Sequence, residues 1–210
     1  MFYRPGEDHG LAANPFNQLV IPRPIGWISS IGASGQVNLA PFSFFNAVAY
    51  VPPQVMFATT GPHRDGGPKH SLANIHETRE FVANLATWPL RQAVNISSAP
   101  APAGVDEFEL AGLTKGPARI VGAPYVAESP VHLECVLTQI VDLPTADPAN
   151  PNTVVFGEVV GIDIADRVLE DGRVDAVALD PIARLGYDQY TRVVDVFAMT
   201  RPSWPLPSSS

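Results

Sequence analysis

The fold class of this chain is decided by two long segments, VHLECVLTQIVD (Val131–Asp142) and TVVFGEVVGID (Thr153–Asp163). Both are rich in valine and isoleucine, and a loop of Pro, Asn and Asp residues separates them. Apolar, β-branched runs that are bounded by turn residues predict strands. We therefore expect these two segments to be the strongest strands of a β-rich fold.

Further strands are predicted N-terminal and C-terminal to this pair. Pro22 and Pro24 remove hydrogen-bond donors from the first of them, so it should begin at a sheet edge or just after a turn. A Gly-Ala-Ser-Gly turn at residues 32–35 leads into the second. The predicted strands are Leu19–Ile31, Val37–Ala40, Val55–Thr60, Phe81–Leu85 and Arg192–Met199.

Helices are predicted to be short and few, since 22 Pro and 16 Gly in 210 residues favour turns. Ser71–Arg79 and Pro89–Ile96 have helical patterns, whereas residues 97–118 are rich in Ala, Pro and Gly and are expected to wrap the surface. The length suits one domain. We expect an arm at residues 1–18, a small β-barrel domain at 19–200 and a loosely held tail at 201–210.

Charge and cysteine content exclude several classes of protein. The net charge of −8 argues against a broad electrostatic contact with nucleic acid or an anionic membrane. Cys135 is the only cysteine, so neither an intrachain disulfide nor a cysteine metal cage is expected. The N-terminus lacks an apolar signal core and no stretch is long enough to span a bilayer. These features predict a cytoplasmic protein.

A first candidate site lies at Lys69-His70-Ser71, just before the predicted helix. Ser71 is a favoured N-cap residue, and a helix start offers free N–H groups and partial positive charge to a phosphate. Lys69, and His70 when protonated, would add formal charge. The alternative is an ordinary surface helix start with a solvated lysine.

A second candidate is APFSFFNA (Ala40–Ala47), where three phenylalanines alternate with Ser43 and Asn46. Core packing accounts for the phenylalanines. It does not account for the polar residues among them. A flat heteroaromatic ligand needs apolar faces together with donors and acceptors at its polar edge, and this segment supplies both.

Other nucleotide and hydrolase sites are excluded by their motifs. The glycines at residues 61–66 resemble the start of a P-loop, but Gly67 and Pro68 separate them from Lys69 and break the motif. There is no Gly-x-Gly-x-x-Gly dinucleotide motif and no Gly-x-Ser-x-Gly elbow. Cys135 lies within an apolar strand, which favours a buried structural thiol over a nucleophile.

A metal site has only weak support in the sequence. His132 and Glu134 occupy alternate positions of a strand, so both side chains could face one ion. Three further histidines lie between residues 63 and 76. No third ligand stands at a recognisable spacing, so we expect no metal.

Taken together, the segments resemble the flavin reductase-like family, which includes the flavoredoxins. The match runs in order from about Leu19 to Tyr190, and the series is more specific than any one segment. In chain order the segments are IPRPIGWIS (21–29), NLAPFSFFN (38–46), PP (52–53), KHS (69–71) with Asn74, EFVANL (80–85), DEF (106–108), AGLT (111–114), LEC (133–135) and RLG (184–186) with Tyr190.

The resemblance implies a mainly β, FMN-binding split β-barrel of about six antiparallel strands in Greek-key order, with a few short peripheral helices. It also implies a homodimer with flavin near the interface. FMN is the expected cofactor, with FAD as the other flavin. The residues implied at the flavin are Trp27, Ser29, Ser43, Phe44, Phe45, Asn46 and Ala47 along the ring and ribityl chain, and Lys69, His70 and Ser71 at the phosphate.

Three positions depart from the family pattern. His70 replaces an aspartate of the phosphate segment, which makes the site more positive, and Ser71 replaces a threonine but keeps the hydroxyl group. Tyr187 replaces the second glycine of an Arg-Leu-Gly-Gly segment, which limits the backbone conformations open to that position.

The expected activity is NAD(P)H-dependent flavin reduction, with NAD(P)H as co-substrate and no catalytic acid or base supplied by the protein. A flavoredoxin-like electron carrier with tightly bound FMN and no NAD(P)H oxidation is the alternative. A barrel that has lost its cofactor and serves as a binding module is a third. The choice between NADH and NADPH, the electron acceptor, and whether FMN is prosthetic group or substrate stay open.

Overall fold

The main body of the protein, seen in a computed structural model that describes residues 1–204, is antiparallel β-sheet with five short α-helices and one 3₁₀ turn. The strands are β1 Arg23–Pro24, β2 Gly26–Ile31, β3 Val37–Phe42, β4 Phe45–Tyr50, β5 Pro53–Thr60, β6 Glu80–Leu85, β7 Lys115–Gly116, β8 Tyr125–Val126, β9 Val131–Leu143, β10 Asn152–Ile164, β11 Leu169–Glu170, β12 Arg173–Val174, β13 Ile182–Arg184 and β14 Tyr190–Arg192. The helices are α1 Phe16–Leu19, α2 His70–Thr78, α3 Arg91–Ile96, α4 Glu107–Ala111 and α5 Ala176–Leu179, and the 3₁₀ turn is Asp166–Val168.

Seven strands form one sheet in the order β3-β2-β6-β9-β10-β5-β4. Six spacings of about 4.8 Å would hold the outer strands β3 and β4 roughly 29 Å apart if the sheet were flat. These two strands follow each other in the chain, and the three Cα–Cα steps from Phe42 to Phe45 reach about 11 Å at most. The sheet must therefore curl until its edges approach, which makes it barrel-like.

The β9–β10 hairpin is the longest element, and its two strands are 13 residues each. The strands predicted at Val131–Asp142 and Thr153–Asp163 are thus confirmed to within a residue at each end. A bulge at Phe156/Gly157 bends the pair. Glycine is required there because a Cβ on Gly157 would lie 2.5 Å from the Phe81 ring.

Three clusters of buried apolar residues hold the sheet, and the two larger ones lie on opposite faces. One face carries Phe57, Phe81 and Cys135, all fully buried. The other face carries Trp27 beneath α3 and α4, packed with Phe108 of α4. Each such aromatic side chain contributes about 1.5–3 kcal/mol of transfer free energy when it leaves water. The buried thiol of Cys135 confirms the structural interpretation of that residue, and burial raises its pKa.

The predicted C-terminal strand Arg192–Met199 is wrong. Only Tyr190–Arg192 pairs, with β13, and residues 193–204 have no regular structure and are largely exposed. Up to residue 204, the last backbone hydrogen bond runs from the Val193 N–H to the carbonyl of Pro181. Proline has no N–H to return, so the ladder ends at that pair.

Several other predicted bounds need correction. The first predicted strand, Leu19–Ile31, is divided into the end of α1 and the two strands β1 and β2, because Pro22 and Pro24 interrupt the pairing. Strand β4 and helix α4 were not predicted, so the main sheet has seven strands where about six were expected. Part of the expected tail lies outside the described residues. Among residues 1–204, no helix has the length and apolar character to cross a membrane.

Candidate functional site

A cleft of about 150 Å³ lies between the start of α2, the outer strand β3 and the segment that follows α3. It contains all three residues predicted to face a phosphate, Lys69, His70 and Ser71. Its remaining lining comes from four parts of the chain: Asn38, Ala40, Pro41 and Phe42 of β3, His63 of the preceding loop, Ser97 to Ala101 after α3, and Glu107 of α4.

Helix α2 begins at His70, and Lys69 occupies the N-cap position with an extended backbone (φ −56°, ψ 142°). The prediction of Ser71 as the N-cap is therefore wrong. Ser71 lies in the first turn, and its buried hydroxyl accepts a hydrogen bond of 2.7 Å from Asn38 Nδ2 instead of capping the helix. No side chain caps the first turn, so its N–H groups and the positive end of the helix dipole face the cleft.

The cleft carries an excess of groups that are or can become positive. Lys69 is half-buried, and its ammonium has no ion-pair partner among residues 1–204. The His70 ring stacks on that of His63 with a centroid distance of 4.0 Å and an interplanar angle of 27°. His63 is 7% exposed, and burial followed by the charge of His70 lowers its pKa.

Glu107 is the buried acid of the cleft. It is 4% exposed, and its Oε2 accepts a hydrogen bond of 3.0 Å from the backbone N–H of Leu39. Burial raises the pKa of Glu107 in spite of this bond. Leu39 belongs to the outer strand β3, so its N–H has no neighbouring strand to pair with. The Glu107 carboxyl group accepts a hydrogen bond from this N–H instead.

The wall formed by residues 97–101 is held from inside the protein by Trp27. The Trp27 indole N–H donates a 2.9 Å hydrogen bond to Ser97 Oγ, which donates in turn to the Val94 carbonyl at 3.1 Å. Trp27 and Ser29 are both fully buried, and Ser29 Oγ accepts a 3.1 Å bond from Asn84. Their side chains therefore do not line the cleft and could influence a ligand only through the residues they hold.

The predicted ring segment begins where the cleft ends, just after Phe42. Ser43, Phe44 and Phe45 are half-buried, whereas Asn46 and Ala47 are exposed. None of these five lines the cleft itself.

Contacts beneath this segment fix its turn. Arg23 Nε donates to Ser43 Oγ at 3.4 Å, and the same guanidinium lies 5.6 Å from the centre of the Phe44 ring. The Phe45 ring packs over Gly26, where a Cβ would come within 2.4 Å of the ring. The segment is thus held in place by a buried cation and a close glycine contact.

Tyr187 adopts the left-handed backbone conformation that the family pattern assigns to glycine, with φ +49°. Arg184 donates hydrogen bonds to the Tyr187 carbonyl and to the Tyr190 hydroxyl. The preceding Gly186 is needed, because a Cβ there would lie 2.7 Å from the Gln18 Cα atom. The loop therefore keeps a glycine-like turn even though it carries a tyrosine.

His132 and Glu134 are engaged in structural contacts. His132 Nε2 lies 2.8 Å from the Val126 carbonyl oxygen. The Glu134 carboxylate accepts backbone N–H bonds from Arg119, Ile120 and Val121 at 2.7–3.1 Å. Burial alone would raise the pKa of Glu134, but these donors lower it. Within residues 1–204 no three His, Cys, Asp or Glu side chains are grouped to hold a metal ion.

Sequence reasoning singled out the Lys69–Ser71 side of the cleft but missed much of the remaining lining. His63 was noted only among possible metal ligands, and residues 97–101 were assigned to a surface wrap. Glu107 was part of the segment DEF without a role. Asp106 caps helix α4, since its side chain accepts a hydrogen bond from the Phe108 N–H. The only sequence signal for Glu107 was its position as an acidic residue directly after this cap.

Comparison with known proteins now defines the class. The model of the flavin reductase like domain family matches residues 17–188. An uncharacterized protein of Halalkalibacterium halodurans is 35% identical over 184 residues, which cover 88% of each chain. An uncharacterized protein of Aquifex aeolicus is 37% identical over 175 residues, covering 83% of this chain and 86% of the other.

Solved structures agree with this class. Nitrilotriacetate monooxygenase component B from Bacillus cereus has a TM-score of 0.83 at 28% identity, covering 95% of this chain and 99% of that one. The Pseudomonas fluorescens 2-nitrobenzoate 2-nitroreductase NbaA has a TM-score of 0.82 at 26% identity, covering both chains fully. A putative Shewanella frigidimarina flavin reductase with a split barrel domain has a TM-score of 0.79 at 25% identity, covering 94% of this chain and 95% of that one.

The fold is thus a mainly β split barrel of the kind found in flavin-handling proteins. The chain belongs to the flavin reductase like domain family. Both the resemblance and the fold class inferred from the sequence are confirmed.

Proposed function

We propose that this protein binds FMN with its phosphate at the start of α2 and its ring toward Ser43–Ala47, and that it is an NAD(P)H-dependent flavin oxidoreductase. The observation that carries the proposal is the uncapped, cationic helix start at Lys69 and His70 within a cleft bordered by strand β3. The same strand leads directly into the predicted ring segment at Ser43.

The residues of the cleft fit a flavin phosphate. A phosphate needs several donors and positive charge, and the helix start provides N–H groups, one ammonium and one imidazole. Ser71 Oγ is buried and already bonded to Asn38, so its own hydroxyl proton is available for donation. Ser97 and Ser98 add hydroxyl groups on the opposite wall.

The region beyond the cleft fits the other end of the ligand. Phe42, Phe44 and Phe45 offer apolar surface, whereas Ser43 and Asn46 offer polar groups. This combination suits a flat ring with a polar edge. We favour FMN because the family resemblance implies it. Its phosphate is terminal, whereas FAD would continue beyond the helix start with an adenosine group.

When bound, FMN supplies the hydride and electron transfer, and the protein binds, orients and shields it. Lys69 and His70 fix the phosphate, and the Trp27–Ser97 bond holds the wall beside it. No proton donor or acceptor from the protein is required. The similarity to a monooxygenase component and to a nitroreductase, both above 25% identity, supports an oxidoreductase.

We also propose a homodimer, located in the cytoplasm, in which the second copy covers strand β4. This strand is an edge of the main sheet. It carries the exposed side chains Val48 and Tyr50, and the exposed Val51 follows it directly. Because β4 also contains Phe45–Ala47, such an interface would lie beside the proposed ring site. Light scattering of the purified protein would test the dimer.

The test of function is an absorbance spectrum of purified protein, with and without added FMN, followed by anaerobic addition of NADH or NADPH. A flavin spectrum that is bleached by the pyridine nucleotide supports a reductase. Tightly held FMN that NAD(P)H does not reduce points instead to an electron carrier. If FMN is absent and added FMN does not bind, the proposal is wrong.

A further inference from the structure

The stacked pair His63 and His70 is a feature of this chain that the family resemblance does not explain, since an aspartate is expected at position 70. The two rings lie face to face at 4.0 Å inside the cleft. Both line the same cavity as Lys69. Any charge on one ring therefore acts on the other and on a ligand between them and the lysine.

One member of the pair is held neutral by its surroundings. His63 Nδ1 accepts a hydrogen bond of 3.2 Å from the Asp65 backbone N–H, so that nitrogen has its lone pair in use. The ring is also nearly fully buried. Burial and then the charge of His70 lower the pKa of His63 most. The carboxylate of Asp65, 3.8 Å away, opposes them more weakly, and the charge of Lys69 and a backbone hydrogen bond with Ala101 have smaller effects of opposite sign.

The other member lies where a ligand would meet it. His70 is half-buried, belongs to the uncapped first turn of α2 and lines the cleft. A histidine side chain can take up a proton between pH 5 and 8. A phosphomonoester carries about 1.5 to 2 negative charges near neutral pH, and such a charge favours a positive ring beside it.

We propose that binding of a phosphomonoester in this cleft is coupled to uptake of one proton by His70, whose ring is supported by the neutral ring of His63. The proposal rests on the function proposed above, with FMN as the phosphomonoester. It makes the site selective for flavin that carries a terminal phosphate, and it makes that selectivity depend on pH. His63 is the positioning residue and His70 the ligand-binding one.

Other charged groups near the pair set the limits of this coupling. Asp65 and the exposed Arg64 lie on the loop that carries His63, and Lys69 lies on the helix side. Glu107, on the floor of the cleft, is the only acid among the lining residues. Burial raises the pKa of Glu107, so a phosphate nearby would favour its neutral form further. A proton on Glu107 would add to the same pH dependence, and the variants below separate the two.

The experiment measures the affinity of the purified apoprotein for FMN and for riboflavin, by flavin fluorescence, between pH 6.5 and 8.5. Riboflavin has the same ring without the phosphate, so it reports effects of pH on the ring site. An opposite charge within a few ångströms commonly shifts a proton equilibrium by one unit or more. We therefore expect FMN affinity to fall by about five- to tenfold over this range, and riboflavin affinity by less than about twofold.

Two substitutions test which side chain takes up the proton. His70→Asn replaces the imidazole by a side chain of similar size that does not titrate, and the fall in FMN affinity with rising pH should then disappear. His63→Phe keeps a flat ring beneath His70, and the pH dependence should persist. His76→Asn, at an exposed position of the same helix, is the matched control and should behave as wild type.

The possible outcomes test three claims separately: the proton coupling, its assignment to His70, and flavin binding itself. If FMN and riboflavin bind with the same pH profile, flavin binding stands and the proton coupling is refuted. If His70→Asn retains the FMN-specific profile, the proton belongs to another group such as Glu107, and the assignment to His70 is wrong. If neither flavin binds at any pH, the proposed function fails and the coupling fails with it.

Discussion

Replacing Lys69 by alanine is the most direct test of where the phosphate lies. The ammonium is half-buried and has no ion-pair partner in residues 1–204, so its removal breaks no internal contact of that kind. The backbone carbonyl of Lys69 accepts from the Ala73 N–H at 3.0 Å, and alanine preserves that bond. We therefore expect the Lys69→Ala variant to fold with nearly unchanged stability.

The expected loss of affinity follows from the position of the charge. Two unit charges about 4 Å apart interact by about 1 kcal/mol in water and about 4 kcal/mol at an effective dielectric constant near 20. A half-buried lysine lies between these limits, and charge-assisted hydrogen bonds contribute about 1.5–3 kcal/mol net. Lys69→Ala should therefore raise the FMN dissociation constant by about 10- to 150-fold.

Fluorescence titration with FMN and with riboflavin separates the phosphate effect from other losses. Riboflavin affinity should change by less than about twofold, since the ammonium has no phosphate to contact in that complex. Arg173→Ala removes the same formal charge at an exposed position of β12 and should leave both affinities unchanged. If Lys69→Ala weakens the binding of FMN and of riboflavin equally, or does not weaken FMN binding, the placement of the phosphate is refuted.

Three further predictions concern stability and access. Glu134→Gln should lower the free energy of unfolding by about 2–3 kcal/mol at pH 7, since a carboxylate bound to three backbone N–H groups is lost. The pKa of Glu134 is lower in the folded than in the unfolded protein. Its contribution to the free energy of unfolding is therefore complete above the unfolded pKa of about 4.3 and disappears as the pH falls through the folded pKa. In urea denaturation, the difference in stability between wild type and Glu134→Gln should accordingly be smaller at pH 3 than at pH 7. Gly186→Ala should destabilise the protein by about 1–3 kcal/mol in the same assay, because its Cβ would meet the Gln18 backbone. The Cys135 thiol should resist alkylation in the native protein and react after unfolding; rapid native labelling would contradict its burial.

The strands of the barrel were largely predictable because their signals are local. The β9 and β10 segments are long, β-branched and bounded by turn residues, and the structure reproduces them closely. Arg192–Met199 shows the limit of that reasoning. Its valine-rich, apolar composition suits a strand, but a strand also needs a partner edge, and Pro181 ends the available one. Pairing partners are set by tertiary structure, which local pattern does not contain.

The part of the candidate site that consists of a local sequence motif was predictable. The part whose position depends on long-range packing was not. Lys69-His70-Ser71 was found from its charge and its place before a helix. The wall at residues 97–101 was not, because its position depends on a hydrogen bond between Trp27 and Ser97, which are 70 residues apart. Ser71 failed as a cap for the same reason: Asn38, 33 residues earlier, holds its hydroxyl. Contacts of this kind arise only when the sheet has curled.

Strand β3 joins the two predicted ends of the ligand into one site. It runs from Asn38, which is bonded to Ser71 beside the helix start, to Phe42, next to the ring segment. Asn38 and Ser43 are five residue steps apart along the chain, and an extended chain of that length spans about 17 Å, which suits an elongated ligand lying along the strand. Pro41 is tolerated there because β3 is an edge strand, and a proline facing that edge offers a carbonyl acceptor without a competing N–H. An edge left unpaired in this way exposes backbone carbonyl groups to a ligand, and this exposure is a further reason to propose the flavin site along β3.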